Sequence, residues 1–225
     1  MLSFKLATHS KVTQLCGLFY LLLRFTRFMK VAIIDYQAGN ILSVVYALER
    51  LGVSPVLTAD AEQIQAADKV ILPGDGHART AMEQLQARQL DQLIPQLRQP
   101  VLGICIGLQL FCQHSAEGDT PCLGIFEAQV QRFDNQSNPA LKVPHMGWNQ
   151  LQNLSGHLTR GITEGAYVYF VHSYYATLCA STSGQANYLT PFSATMERDN
   201  FFATQFHPEK SGVVGEQILQ NFLKL

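Results

Sequence analysis

The stretch GICIGLQLF, residues 103–111, sets one cysteine between two glycines inside an apolar run. The preceding Pro100-Val101-Leu102 reads as a buried strand, and Leu108-Gln109-Leu110-Phe111 as the opening of a buried helix. Cys105 therefore falls at a strand-to-helix junction. Two readings are open at this point. Free cysteine is among the most buried residue types, so Cys105 can be a small core residue. It can also be a nucleophile, because Gly at −2 and +2 is the spacing of a nucleophile elbow written with Cys in place of Ser. The glycines would allow a sharp turn and leave no Cβ in the path of a substrate. A helix N-terminus there favours the thiolate, and the Ile106 N–H is placed to bind a developing oxyanion.

Working outward, strands and helices alternate. Lys30–Asp35 reads as a strand and Ile41–Leu51 as a helix with Ile41, Val44, Val45 and Leu48 on its apolar face. Val53–Leu57 and Lys69–Leu72 read as strands, Pro73-Gly74-Asp75-Gly76 as a turn, and Arg79–Leu90 as a helix. Such alternation predicts an α/β fold with a mostly parallel central sheet flanked by helices. After about residue 120, β-branched and aromatic runs dominate: Ala128–Phe133, Ala166–His172, and the pair Ser193–Arg198 and Phe201–Phe206 joined by Asp199-Asn200. The last pair predicts a hairpin, and with it an antiparallel C-terminal portion. A helix over about Gly215–Leu225 closes the chain.

Ligands of open α/β sheets bind at the carboxyl ends of parallel strands, where Gly74, Gly76 and Cys105 fall. A thiolate nucleophile needs a base. His207, in Thr204-Gln205-Phe206-His207-Pro208-Glu209, ends a strand, and Glu209 at i+2 would point the same way along extended chain and hold the second ring nitrogen. A solvated turn with an incidental His and Glu is the plain alternative.

Composition limits the rest. A chain of 225 residues, 47% hydrophobic with a net charge of −1, has the size for one domain around a substantial core. No run of Lys or Arg points to nucleic acid. The five cysteines are irregularly spaced, and neither CxxC nor HExxH occurs, so zinc and redox motifs find no support and a reduced, cytoplasmic setting is the default. The apolar run Leu15–Leu23 has basic residues before it, yet no small-residue cleavage site follows, and nine residues cannot span a bilayer, which needs ~20. Residues 1–28 are expected to be an N-terminal extension or misassigned start, with a membrane-associating segment the minority alternative, and 29–225 the working domain.

Taken together, GxCxGxQ at Gly103–Gln109 and FHPE at 206–209 resemble the class I (triad-type) glutamine amidotransferases. Within that class, VAIIDYQAGN at 31–40, PHMGWN at 144–149, YFVHSYYA at 169–176 and QFHPEKSG at 205–212 resemble the glutaminase subunits of imidazole glycerol phosphate synthase. The resemblance runs from Met29 to Leu225. It implies a type 1 amidotransferase domain in which Cys105, His207 and Glu209 hydrolyse glutamine through a γ-glutamyl thioester. It implies oxyanion donors at Ile106 and in the loop at Asp75, and substrate contacts from Gly76, Gln109, His172, Ser173 and Tyr174. No cofactor or metal is implied. Ammonia would pass to a (β/α)8-barrel cyclase subunit in a heterodimer, with Pro144, His145, Met146, Trp148 and Asn149 at the interface. Tryptophan beside methionine is a composition enriched at interface hot spots; a core anchor is the alternative for Trp148. Asp75 stands where the resembled loop usually carries a small apolar residue, often valine. Two rival readings are a glutaminase subunit of another pathway, such as anthranilate synthesis, and a non-catalytic binding module on the same fold. PHMGWN and FVHSYYA argue against the first, and the intact Cys105, His207 and Glu209 against the second.

Overall fold

A computed structural model describes residues 29–37 and 41–225. The extension expected over residues 1–28, with its apolar run Leu15–Leu23, lies outside the described residues, as do Ala38-Gly39-Asn40 of the opening motif.

The strands are β1 (Val31–Ile34), β2 (Val56–Thr58), β3 (Lys69–Leu72), β4 (Val101–Ile104), β5 (His114–Ser115), β6 (Thr120–Pro121), β7 (Gln129–Arg132), β8 (His145–Gln150), β9 (Tyr167–His172), β10 (Tyr174–Ala176), β11 (Thr182–Tyr188), β12 (Thr190–Arg198) and β13 (Phe201–Thr204). The helices are α1 (Leu42–Arg50), α2 (Ala61–Gln65), α3 (Ala78–Ala87), α4 (Leu90–Leu93), α5 (Ile106–Phe111) and α6 (Gly212–Leu223).

A seven-stranded sheet in the order β11-β12-β13-β4-β3-β1-β2 carries the fold. Five strands, β13-β4-β3-β1-β2, run parallel to their neighbours, and β12 and β11 extend the sheet antiparallel. The expected α/β architecture with an antiparallel C-terminal part is what forms. Strands β1, β3 and β4 are buried along their whole length, as helices on both faces require. Alternate residues serve two cores: Ala32, Ile34, Val70 and Leu72 join one, Val31, Ile33 and Ile71 the other.

The expected hairpin is present but plays a second part. β13 pairs antiparallel with β12 and parallel with β4, in the register Phe201↔Val101 to Thr204↔Ile104. The Cys105 N–H donates to the Thr204 carbonyl at 2.8 Å, so residues a hundred positions apart leave the sheet side by side. Smaller sheets β10-β7-β5-β6 and β8-β9 complete the fold.

Among the boundaries that differ from expectation, three have a plain physical reason. The strand expected from Val53 starts at Val56 and is only three residues long, an edge strand with Val56 and Leu57 half exposed. The helix expected over Arg79–Leu90 is interrupted: Gln89 takes φ 57°, outside the helical region, which separates α3 from α4. The last helix starts at Gly212 rather than Gly215. Gly215 is inside it because a Cβ there would sit 1.9 Å from the Pro208 carbonyl oxygen, so glycine serves close packing, not a helix start.

Candidate active site

Cys105 connects β4 to α5 with φ 55° and ψ −103°, a conformation that costs a non-glycine residue free energy and is held only by its surroundings. Those surroundings come from the flanking glycines. A Cβ on Gly107 would lie 2.2 Å from the Leu72 carbonyl oxygen, and one on Gly103 would meet Phe111 and the Gly107 backbone at 2.7–2.8 Å. The two glycines are thus packing positions that press the elbow onto β3 and α5; the expectation that they clear a path for substrate is replaced by this. The α5 helix has only six residues, so its influence on Cys105 is local, through the unshared N–H groups of its first turn.

His207 follows β13 and is buried. Its N–H donates to the Tyr169 carbonyl at 3.0 Å, and its carbonyl accepts from Ser211 Oγ at 2.6 Å. Ser211 Oγ in turn accepts from the Tyr169 N–H at 3.0 Å, tying this segment to β9. Nδ1 of His207 lies 2.8 Å from Glu209 Oε1. The route differs from the sequence argument: Pro208–Lys210 form a 3-10 turn, which folds the carboxylate back onto the ring rather than placing it two residues along extended chain. Burial favours a neutral ring, but the hydrogen bonds and negative charge of Cys105 and Glu209 outweigh it and hold His207 up at about 10. The site is built to carry an imidazolium beside the sulfur.

A cleft of about 330 Å³ opens over Cys105. Asp75, Gly76, Ile106, Gln109, His172, Ser173, Tyr174 and His207 all line it, and Glu209 stands behind His207. The 73–76 loop is anchored by Tyr36, whose hydroxyl donates to the Pro73 carbonyl at 2.8 Å. Burial, then the negative charges of Cys105 and Asp75, push the Tyr36 phenol far above its usual range, so it remains a donor. A Cβ on Gly74 would lie about 2 Å from both Ile106 and the Tyr36 hydroxyl, whereas Gly76, at φ 98°, has open space around it. The Gly74 end of the loop is clamped and the Gly76 end is not.

Gln109 donates Nε2 to the Tyr174 carbonyl at 2.9 Å and to Gln205 Oε1 at 3.1 Å. Because the carbonyl can only accept, the amide orientation is fixed, and Oε1 is the atom left for a ligand. Gln205, fully buried, donates Nε2 to Cys105 Sγ at 3.7 Å.

Three features escape the sequence reading. Gln205 supports both Gln109 and the sulfur, although it stands in the QFHPEKSG motif. Glu117 lines the cleft while one carboxylate oxygen caps the Ala78 N–H at 2.7 Å. It comes from the turn after β5, and no pattern in the sequence ties it to Cys105. Tyr36 lies in the opening motif, where only the anchor it makes with Pro73 gives it meaning.

The PHMGWN segment requires a correction. Strand β8 pairs with β9 in the register His145↔His172 to Gln150↔Tyr167, and its side chains alternate. Met146 and Trp148 are 63% and 55% exposed, and Pro144 is exposed at the rim of the cleft. His145 is 4% exposed, stacked between Phe170 and Tyr188, and Asn149 turns inward to donate Nδ2 to the Asn187 carbonyl at 3.0 Å. The buried His145 therefore cannot present its side chain to a partner as the sequence reading expected, whereas Asn149 shares its face of the strand but stays partly exposed.

The family model for "Glutamine amidotransferase class-I" matches residues 32–225. Among solved structures, a glutamine amidotransferase from Thermotoga maritima aligns with TM-score 0.58 at 16% identity over 88% of this chain and 84% of that one, a likeness of fold. Curated relatives include imidazole glycerol phosphate synthase subunit HisH of Bacteroides thetaiotaomicron, 56% identical over 88% of this chain and the whole of that protein. The HisH subunit of Pectobacterium atrosepticum is 50% identical over the same shares. The chain belongs to the class-I glutamine amidotransferases and, among them, to the HisH subunits of imidazole glycerol phosphate synthase.

Proposed function

We propose that this chain hydrolyses glutamine to glutamate and ammonia and hands the ammonia to a (β/α)8-barrel cyclase subunit in a cytoplasmic heterodimer of histidine biosynthesis. The observation that carries the reading is the convergence on one cleft of Cys105, in its strained elbow, and the buried His207–Glu209 pair.

The Cys105 thiolate attacks the side-chain amide carbon. The tetrahedral oxyanion is met by the Ile106 N–H and by a peptide N–H at Asp75–Gly76. His207, held as imidazolium, protonates the departing ammonia; the C–N bond breaks and a γ-glutamyl thioester remains. The now neutral ring takes a proton from water, hydroxide attacks the thioester, and glutamate leaves with the sulfur again a thiolate. Glu209 keeps the ring oriented throughout. Glu117 and Gln109 Oε1 suit the α-ammonium of glutamine, and Ser173 and Tyr174 form the facing wall. Both ring nitrogens of His172 are engaged inside the protein, so His172 shapes the wall rather than binding substrate through its ring.

Ammonia released into neutral water would mostly be protonated and lost as a nucleophile, which is the chemical reason for a docked partner. Exposed Met146 and Trp148 mark the docking edge. The cyclase uses the ammonia to form imidazole glycerol phosphate and an aminoimidazole carboxamide ribonucleotide. Because Gly74 is clamped and Gly76 has room, partner-dependent reorientation of the oxyanion peptide is confined to Asp75–Gly76. The working unit is residues 29–225.

The test is glutamate release by the full chain, alone and with the cyclase and its nucleotide ligand. A low basal rate, raised greatly by the partner, is expected. No glutamate release in either state refutes glutaminase activity, and full activity unaffected by the partner refutes the coupling.

A further inference from the structure

Behind the wall of the cleft runs a connected line of polar groups that the triad chemistry does not use, with two buried histidines at its centre and a partly exposed Asn149 at its outer end. His145 and His172 face each other across the β8–β9 pair, with His145 Nδ1 3.0 Å from His172 Nε2. His172 Nδ1 is 2.8 Å from the Tyr174 carbonyl oxygen, and His145 Nε2 is 3.4 Å from Asn149 Nδ2.

The proton positions follow from acceptors that have no alternative. A carbonyl only accepts, so His172 carries its proton on Nδ1. Its Nε2 must then accept in the neutral ring, so His145 donates from Nδ1. The Nε2 of His145 accepts in its turn, and Asn149, whose Nδ2 also donates to the Asn187 carbonyl, is the donor. One consistent assignment runs from Asn149 to Tyr174. It requires both rings to be neutral. Burial supplies that condition, holding His145 down at about 4, and His172 at about 3 despite its bond to Tyr174.

The line continues into the cleft. The Tyr174 carbonyl also accepts from Gln109, Gln109 from the same nitrogen reaches Gln205, and Gln205 reaches the Cys105 sulfur. At its other end, Asn149 and His145 alternate along β8 with exposed Trp148 and Met146. We propose that Asn149, His145 and His172 form a one-directional hydrogen-bond relay that positions the Tyr174 carbonyl and the Gln109 amide, joining the docking edge to the glutamine pocket through one strand pair. These are positioning residues: none donates to substrate. The proposal rests on the glutaminase reading for its kinetic consequence, and its proton arrangement can be tested without it.

The first arm is ¹⁵N-histidine NMR of the full chain. Both rings are expected as neutral Nδ1–H tautomers that do not titrate between pH 5.5 and 8. An Nε2–H tautomer on either ring, or titration in that window, overturns the relay whatever the chain catalyses. The second arm is kinetics of the assembled complex. His145→Phe keeps a ring in the stack between Phe170 and Tyr188 but cannot accept or donate, while His145→Gln can do both. His145→Phe is expected to raise KM for glutamine roughly 3- to 10-fold with a smaller change in kcat, to cut activation by the cyclase severalfold at unchanged cyclase affinity, and to leave ammonium-driven synthesis intact. His145→Gln should recover at least half of the loss. Should His145→Phe fail to fold, as judged by circular dichroism, Asn149→Leu takes its place and is expected to move KM in the same direction. Unchanged KM and activation in the folded variant, or no recovery in His145→Gln, overturns the proposal. Complete absence of glutaminase activity in the parent chain, with the NMR result as expected, refutes the glutaminase reading and leaves the relay standing.

Discussion

His207 Nδ1 lies 2.8 Å from Glu209 Oε1, and the Glu209 side chain is only 3% exposed. Its other oxygen, Oε2, is buried without a hydrogen-bond partner among the described residues, so the carboxylate charge is little screened and acts mainly on the ring. Glu209→Gln should lower kcat/KM for glutamine roughly 100-fold or more and bring the alkaline limb of the pH profile down by roughly 1–3 units. The sign is fixed by the ring: His207 is raised from 6.5 to about 10, so the proton donor is lost as pH rises through about 10 in the parent. The same shift contributes folding stability that is whole below 6.5 and lost as pH rises through about 10. An alkaline limb that does not move in the variant removes Glu209 from its role.

Cys105 is the only sulfur lining the cleft among the described residues. Cys105→Ser should abolish glutamine-dependent synthesis by the complex, by roughly 10³-fold or more, while synthesis from added ammonium salts persists. Equal loss of both activities would mean that the variant disturbs the complex rather than the chemistry.

How much of this is legible in the chain follows from the kind of order involved. The elbow can be read because an apolar strand, two glycines and an apolar helix are contiguous. The His207–Glu209 pair is legible as residues, but its geometry is not, since a 3-10 turn at Pro208 replaces the extended chain. What brings Cys105 and His207 together is the parallel pairing of β13 with β4 across about a hundred residues, and no local pattern encodes that. The interface segment misleads for a simpler reason. PHMGWN reads as one block, whereas a strand sends alternate residues to opposite faces: Met146 and Trp148 outward, His145 and Asn149 inward. Glu117 reaches the cleft from a turn of the second sheet, so only the tertiary fold connects it with the site.

Trp148 is 55% exposed, its one ring contact among the described residues the edge of Tyr169 at 5.9 Å. Trp148→Ala should leave the melting temperature within the error of an exposed substitution, about 0.5 kcal/mol, and weaken cyclase binding by about 2 kcal/mol or more, near 30-fold. Calorimetric titration of the cyclase into both proteins measures it. A large fall in melting temperature with unchanged affinity would assign Trp148 to the core.

Gly107 tests the elbow's packing. Alanine is the better helix former by about 1 kcal/mol, so propensity alone predicts stabilisation. The contact predicts the opposite, because the added Cβ would lie 2.2 Å from the Leu72 carbonyl, a rigid strand atom next to the oxyanion loop. Overpacking of this kind costs about 1–3 kcal/mol, and an approach of 2.2 Å to a backbone atom belongs at the upper end; less the propensity gain, Gly107→Ala should cost about 2 kcal/mol net and lower the melting temperature by roughly 4–8 °C. Scanning calorimetry decides between the two, and a rise would show that β3 yields.

Asp75 places a carboxylate in the loop that must receive a negative oxyanion. Its residue is exposed, yet it lines the same cleft as Cys105 and Ile106, and its charge is felt as far inside as the Tyr36 phenol. Two negative charges ~8 Å apart repel by about 0.5 kcal/mol in water and about 2 kcal/mol at an effective dielectric of 20. Exposure places Asp75 toward the lower figure. The oxyanion forms only in the transition state, so the repulsion burdens kcat rather than glutamine binding. Asp75→Val should therefore raise kcat roughly 2- to 3-fold at low ionic strength with KM little changed. The gain should shrink as salt screens the charge in the parent, within a Debye length of about 3 Å at 1 M. The measurement is glutaminase kcat for both proteins with the cyclase bound, from low salt to 1 M. A gain independent of salt would trace the effect to loop conformation instead of charge, and a fall in kcat would make the Asp75 carboxylate a support of the oxyanion loop.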